Sequence, residues 1–226
     1  MTISYKPYVA LLLYYFFAIL PVWADPPASI VRLQFDKDRV EAAIVYQGSI
    51  LSGARWTDVK GENTLIVSQL IPGDAKLGTH EDIVQELFAY QYVKTPAGNI
   101  TLLWHFHDWA ENACDRGDGL ISPIDVTDLD SDGMAETRFM YNVQGGCDLS
   151  PRVHKLVMHS GETPYLIQGT DSIRMRNEER PEARSCKVYG EEKQFDAAFK
   201  KTPAIFRHEA ANFWDHFIPK KNWCHD

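Results

Sequence analysis

The feature that most constrains this chain is a run of nine residues, 128–136, that places four carboxylates in one short turn. The acids of this run are Asp128, Asp130, Asp132 and Glu136. Carboxylates crowded this closely repel one another unless a hard cation lies between them, and oxygen ligands of this kind suit Ca²⁺. Gly133 permits a sharp reversal because glycine adopts positive φ without steric cost. The sequence therefore predicts a calcium site made by the four acids and the backbone carbonyl of Met134.

The segments 124–127 and 137–143, on either side of this acidic loop, alternate with the period of a β-strand. We therefore expect the loop to close a β-hairpin in which Thr127 faces Glu136. The loop differs from an EF-hand, whose closing Glu stands at the twelfth position. Here the closing acid stands at the ninth position, and Phe139 occupies the twelfth.

The acidic loop resembles the Asp-x-Asp-x-Asp-Gly-x-x-Asp calcium loops that lie between propeller strands of integrin alpha chains and related repeats. Glu136 replaces the last Asp of that pattern. The resemblance implies a calcium ion held at the tip of a hairpin. The alternative interpretation is a solvated acidic turn, since Asp and Gly are common turn residues.

The first residues have the pattern of an export signal, in which a basic residue precedes an apolar run from Tyr8 to Leu20. Val22 and Ala24 suit signal-peptidase cleavage after Ala24. The apolar run has about 13 residues, fewer than the roughly 20 that span a bilayer as a helix. We therefore expect a cleaved signal peptide over 1–24, no stable membrane span afterwards, and one periplasmic or secreted domain over 25–226.

All four cysteines lie in the predicted exported part, at Cys114, Cys147, Cys186 and Cys224. An even number of cysteines in an oxidising compartment predicts two disulfides, and four cysteines allow three pairings. Extension of the hairpin register brings Cys114 within two positions of the residue opposite Cys147. This favours a Cys114–Cys147 bridge and leaves Cys186 with Cys224 to hold the C-terminal tail. No Cys-x-x-Cys spacing supports the alternative of a metal site.

The charge of the chain limits its partners. Acidic residues exceed Lys and Arg by eight, which gives a formal net charge of −8. An acidic surface repels phosphate backbones, so nucleic acid is not an expected partner, whereas cations and basic proteins are.

Short alternating segments separated by turn residues predict a mainly β fold, an antiparallel meander arranged as a sandwich, an open barrel or part of a propeller. Besides the acidic hairpin, the predicted strands are 29–35, 41–46, 53–57, 64–70, 86–93, 100–108, 153–159 and 164–169. The charged segment 174–184 is predicted to be an exposed connection.

The C-terminal region has the period of an amphipathic helix over about 202–217. Thr202 is expected to cap this helix, Pro203 to begin it and Pro219 to stop it. Its apolar stripe consists of Ile205, Phe206, Ala210, Phe213, Trp214 and Phe217. We expect the helix to pack on the sheet, because burial of the stripe stabilises it.

Other candidate sites carry weaker signals. His105 and His107 would share one face of a strand, where they could bind a transition metal or simply form a polar face. The chain contains no nucleophile elbow, metalloprotease helix or phosphate-binding glycine loop. Paired acids could serve glycoside hydrolysis, and the candidate pairs are Asp108 with Glu111 and Asp125 with Asp128.

The segments 61–64, 86–92, 126–136, 147–151 and 155–158 together resemble a family of exported bacterial proteins described as surface polysaccharide biosynthesis proteins. The resemblance covers approximately residues 40–170 and implies a role at the cell envelope without fixing a reaction. From that family, only the acidic loop with Cys114 and Cys147 carries over to this chain.

The sequence thus favours an exported envelope protein with a calcium-stabilised, disulfide-bonded β domain, which binds polysaccharide or a basic protein rather than catalysing a reaction. Two alternatives stay open. One is an enzyme that acts on envelope glycans through paired carboxylates. The other is an acidic inhibitor of a basic secreted enzyme such as lysozyme.

Overall fold

A computed structural model of the chain describes residues 30–71, 83–113, 116–144, 148–176 and 186–224. The predicted signal peptide and the predicted Cys114–Cys147 bridge lie outside the described residues. Within the described ranges, no helix combines the length and the apolar character that crossing a membrane requires.

The described residues form mainly antiparallel strands and one α-helix, which confirms the predicted fold class. The strands are β1 (Val31–Leu33), β2 (Ser49–Asp58), β3 (Gly61–Leu70), β4 (Ile83–Lys94), β5 (Ile100–Ala113), β6 (Arg116–Leu120), β7 (Asp125–Thr127), β8 (Glu136–Gln144), β9 (Val153–Ser160), β10 (Thr163–Thr170), β11 (Ser172–Arg176), β12 (Cys186–Gly190), β13 (Lys193–Phe195) and β14 (Lys220–Asn222). The helix α1 spans Ala204–Phe217.

Two larger sheets face one another as a sandwich. Sheet A has the order β1-β2-β3-β4-β5, and sheet B has the order β13-β10-β9-β8-β6, with β7 paired to β8. Their inner faces share one buried cluster, to which Leu65 and Leu87 contribute from sheet A and Phe139 and Val157 from sheet B. The structure therefore resolves the predicted alternatives in favour of the sandwich, and the path of neither sheet closes into a barrel.

The helix covers the outer face of sheet B, as the sequence predicts. Its residues Phe206 and Trp214 are buried against Met140, Leu156 and Ile167 of that sheet. The helix thereby gives sheet B a second apolar face, which explains why strand β8 is buried on both sides.

The prediction that Thr202 caps the helix is wrong. The capping position is held by Pro203, which makes no side-chain cap hydrogen bond, and the helix begins at Ala204. Thr202 stands one residue too early, and its hydroxyl donates instead to the carbonyl of Phe199 at 3.1 Å.

The predicted strand at 41–46 is not a strand, because this segment has no partner strand among the described residues. It crosses the outer face of sheet A, where Ile44 is buried with Ile66, Phe88 and Tyr90. The alternation of the segment therefore reflects packing on a sheet rather than pairing within one.

The prediction of an irregular connection over 174–184 is wrong for its first three residues, which belong to β11. Strand β11 pairs with β12 on one side and with β14 on the other. The residues 177–185 lie outside the described part.

The predicted Cys186–Cys224 disulfide is confirmed, with Cα atoms 6.1 Å apart. Cys186 begins β12 and Cys224 follows β14, so the bridge joins the two strands that flank β11. A loop of this length contributes roughly 3 to 4 kcal/mol by restricting the unfolded chain. The Lys221 Nζ also lies 3.0 Å from the buried carboxylate of Asp171, which ties β14 to the main body.

We expect Phe206→Ala to lower the free energy of unfolding by about 3 to 5 kcal/mol, because it removes a buried ring and leaves a cavity. The neighbouring change Ile205→Ala, at a side chain that is 39% exposed, serves as the control and should stay within about 0.5 kcal/mol. Urea unfolding of the two variants measures the difference. Equal losses would contradict the packing of this helix face.

Candidate metal centre

The acidic loop joins β7 to β8, and Thr127 faces Glu136 across it, as the sequence predicts. The reversal uses two residues with positive φ, Ser131 at 61° and Gly133 at 84°. Gly133 is buried, so glycine supplies the left-handed conformation where a side chain would have little room.

Backbone N–H groups of the loop donate to its own carboxylates. Asp128 accepts from the N–H groups of Asp132 and Gly133, each at 3.1 Å. Glu136 accepts from the N–H of Leu129 at 2.7 Å. These bonds fix the carboxylates toward the interior of the loop, and they partly stabilise the negative charges.

The loop also contacts the β2–β3 turn of the opposite sheet. The Asp58 carboxylate accepts from the N–H of Ala135 at 3.3 Å and from the Trp56 indole at 3.0 Å. The Val59 N–H donates to the carbonyl of Gly133 at 3.1 Å. The conformation of the loop is therefore coupled to the position of sheet A.

Asp128, Asp130 and Glu136 form an acidic triad, in which one carboxylate oxygen from each residue lies within 4.8 Å of the others. This triad could hold a metal ion. Asp130 is exposed, Asp128 is half-buried and Glu136 is fully buried. The triad thus runs from solvent to the protein interior.

The other two predicted ligands lie outside the triad. Asp132 is exposed, and its Oδ1 accepts from the N–H of Met134 at 2.7 Å. Participation of Asp132 and of the Met134 carbonyl in metal binding stays a prediction.

Glu136 is the electrostatically unusual member of the triad, because its side chain is 0% exposed. Burial is the main cause that raises the pKa of Glu136 to about 7, and the charges of Asp130 and Asp132 raise it further. Hydrogen bonds from the Leu129 N–H and the Ser160 hydroxyl, the latter at 3.1 Å, act in the opposite direction. A cation in the triad would favour the ionised carboxylate.

Sequence reasoning missed Asp58 and Ser160, which support the loop from outside. Ser160 faces Glu136 in the β8–β9 register. Ser160 could have been identified from the sequence if β8 and β9 had been paired as a hairpin. No local signal connects Asp58 with a loop 77 residues further along the chain.

Among the described residues, His105 and His107 do not belong to a group of three potential metal ligands. Within the described part of the chain, the acidic triad is the group that gathers three such side chains. The His107 Nε2 lies 2.9 Å from Glu86, and its ring stacks on Phe88 and Trp109 at centroid distances of 4.5 and 5.3 Å.

One acid of each pair considered for glycan hydrolysis is held in an ion pair. Asp108 lies 2.6 Å from Lys155 Nζ and accepts from the Tyr141 hydroxyl at 2.7 Å. Asp125 lies between two guanidinium groups, at 2.9 Å from Arg32 and 2.8 Å from Arg138. Both acids therefore tie elements together.

The side chain of Glu111, the proposed partner of Asp108, lies outside the described part. Asp128, the proposed partner of Asp125, belongs to the acidic triad.

No family model, no curated protein and no solved structure matches the chain. The resemblances to the integrin-type calcium loop and to the envelope protein family therefore stay predictions.

The pKa of Glu136 is 4.5 in the unfolded chain and about 7 in the folded protein. We therefore expect the metal-free protein to lose stability as the pH rises through this interval. In that interval the folded chain holds the proton more strongly than the unfolded chain, so folding disfavours the ionised form. Glu136→Gln removes this proton linkage. In the presence of chelator, Glu136→Gln should therefore lose about 2.5 kcal/mol less stability than the unsubstituted protein between about pH 5 and about pH 8.

Urea unfolding at the two pH values measures this difference. The control is Glu162→Gln, at an exposed residue of the β9–β10 turn, which should keep the pH dependence of the unsubstituted protein. An unchanged dependence in Glu136→Gln would contradict the raised pKa.

Proposed function

We propose that this chain is an exported calcium-binding protein that acts at the cell envelope by binding rather than by catalysis. The calcium site is supported above all by the fully buried carboxylate of Glu136. One of its oxygens lies within 4.8 Å of a carboxylate oxygen of Asp128 and of Asp130. A buried charge beside like charges is strongly unfavourable unless a cation accompanies it.

The chemistry of the triad favours Ca²⁺ over other cations. Its ligands are oxygen atoms, and the loop contains neither the His nor the Cys that zinc prefers. Asp132 and the Met134 carbonyl would supply further oxygens, and Ca²⁺ accepts six to eight of them in flexible geometry. Mg²⁺ is less suitable because it demands a near-ideal octahedron and keeps several of its waters.

The ion would act structurally. It would hold Glu136 ionised on β8, and it would fix the loop that contacts Asp58 of sheet A. A ligand that binds the native state alone stabilises it by mass action. Extracellular calcium sites have dissociation constants of roughly 10⁻⁴ to 10⁻³ M, which suits a compartment rich in calcium.

Export is supported by the Cys186–Cys224 disulfide, since disulfides persist in oxidising compartments. The envelope part of the proposal rests on the family resemblance and on the signal pattern of residues 1–24.

The polysaccharide part is supported by a row of stacked rings on the outer face of sheet A, which runs from the buried Phe88 to the exposed Trp109. Trp109 is 56% exposed, and its ring continues the stack formed by His107 and Phe88. An aromatic face attracts the slightly positive C–H groups of a sugar ring through its quadrupole. Glu86, bonded to His107, adds a hydrogen-bond acceptor beside the rings.

We expect millimolar Ca²⁺ to raise the melting temperature and Asp130→Ala to abolish the rise, because this variant removes one carboxylate of the triad. At a concentration about tenfold above the dissociation constant, the added stability is about 1.4 kcal/mol. Thermal unfolding with Ca²⁺, with Mg²⁺ and with chelator measures the effect.

Glu162→Ala controls for the loss of an exposed acid and should keep the full rise. Asp132→Asn tests whether the fourth acid is a ligand. An equal rise in Asp130→Ala and in the unsubstituted protein, or no rise in either, would overturn the calcium site.

We expect Trp109→Ala to weaken binding to purified surface polysaccharide by about three- to tenfold, as loss of one aromatic contact does. Trp223→Ala is the matched control, because this Trp is 40% exposed and lies beyond the row of rings. Affinity electrophoresis against capsule and cell-wall fractions provides the measurement. Polysaccharide recognition would be contradicted if no fraction retained the protein, or if Trp109→Ala and Trp223→Ala bound equally well.

A further inference from the structure

A cleft of about 510 Å³ lies where the β1–β2 edge of sheet A meets β7 of sheet B. It exists because β1 has three residues and pairs only with 55–57 of the ten-residue β2. On that side, the rest of β2 has no partner strand among the described strands. Residues 50–54 therefore line the cleft.

The chain beyond β1 forms one wall of this cleft. The Phe35 ring lies over Gly53, and a Cβ atom added to Gly53 would collide with that ring. Leu33, Leu51 and Ile124 extend the apolar surface, and Leu51 is 42% exposed. A cleft with a volume of about 300 to 1,000 Å³ has the dimensions of a small-molecule site.

The charge of the cleft is opposite to that of the protein. The chain carries a net charge of −8, yet the cleft is lined by Arg32, Lys37 and Arg55 and, among the described residues, by no acid. Such a local reversal attracts anions to the site against the overall field of the protein.

Two of these cations keep the capacity to bind a ligand. Arg32 uses Nη2 for Asp125, at 2.9 Å, and for the Val126 carbonyl, at 2.7 Å. Its Nε–H and Nη1–H donors make no further bond within the described part, and 61% of its side chain is exposed. Lys37 is exposed and contacts no acid among the described residues.

The acids nearest the cleft either lie outside its lining or are paired with other cations. Asp36 and Asp38 flank Lys37 without lining the cleft, and Asp36 lies 3.5 Å from Arg39. Asp125 is shared between Arg32 and Arg138, so it does not neutralise Arg32 alone. Arg55 is paired with Glu62 of β3 and contributes less to the local field.

We propose that this cleft binds a small amphiphilic anion. Its carboxylate, phosphate or sulfate group pairs with Arg32 and Lys37, while its apolar body covers Leu33, Phe35 and Leu51. None of these residues belongs to the acidic triad, so the inference does not depend on the calcium site.

The test uses the disulfide-bonded full chain and the fluorescent anion 1-anilinonaphthalene-8-sulfonate as the probe. Octanoate should displace the probe, whereas octylammonium, which has the same chain and the opposite charge, should not. Acetate, which has the head group without the chain, should also leave the probe bound. The result should be the same with Ca²⁺ and with chelator.

Two variants locate the site. Lys37→Glu should weaken octanoate binding about fivefold, as reversal of an exposed charge does, while Lys201→Glu, at an exposed lysine near the helix, should leave it unchanged. Leu51→Asp should weaken octanoate binding further, because it places an acid in the apolar wall. Circular dichroism of both variants verifies that they are folded.

The proposal is overturned if octanoate at up to about 10 mM fails to displace the probe. It is also overturned if octylammonium displaces the probe equally well, since the surface would then select for apolar chains without regard to charge. Unchanged octanoate binding by both Lys37→Glu and Leu51→Asp would place the bound anion elsewhere and overturn the assignment.

Discussion

The contact between the acidic loop and the β2–β3 turn is the interaction on which the architecture depends most. Through Ala135 and Gly133, the loop bonds to Asp58 and Val59 of the opposite sheet. The same loop carries Glu136 into the interior at the start of β8. The ionisation of Glu136 is therefore coupled to the stability of the contact between the two sheets at this end of the sandwich.

Two further polar ties join the sheets elsewhere. Lys155 of β9 meets Asp108 of β5, and Arg32 of β1 meets Asp125 of β7. Burial and the neighbouring Asp108 raise the pKa of Tyr141, so its hydroxyl keeps the proton that it donates to Asp108. Partial burial strengthens such ties, and truncation of one partner would leave a charge without compensation.

Local patterns were sufficient to predict the acidic hairpin and the C-terminal helix. Turn chemistry fixed the pairing of Thr127 with Glu136, and the helical period identified the face that contains Phe206 and Trp214. The support of the loop by Asp58 could not be predicted, because it depends on how one sheet lies over the other. Residues 41–46 alternate like a strand, but they bury apolar side chains on the outer face of sheet A instead of pairing with another strand. Strand β11 forms because distant segments flank it, which its own charged sequence does not indicate.

The position of the Cys186–Cys224 bridge has a consequence for the end of the chain. Strand β14 has three residues and pairs with β11 alone among the described strands. Without the bridge, so short a strand would separate from β11 more readily, and the segment that follows the helix would lose its attachment to the rest of the fold. The covalent link closes a loop that contains the whole helix, so the attachment of β14 to β11 depends on the redox state of two sulfur atoms.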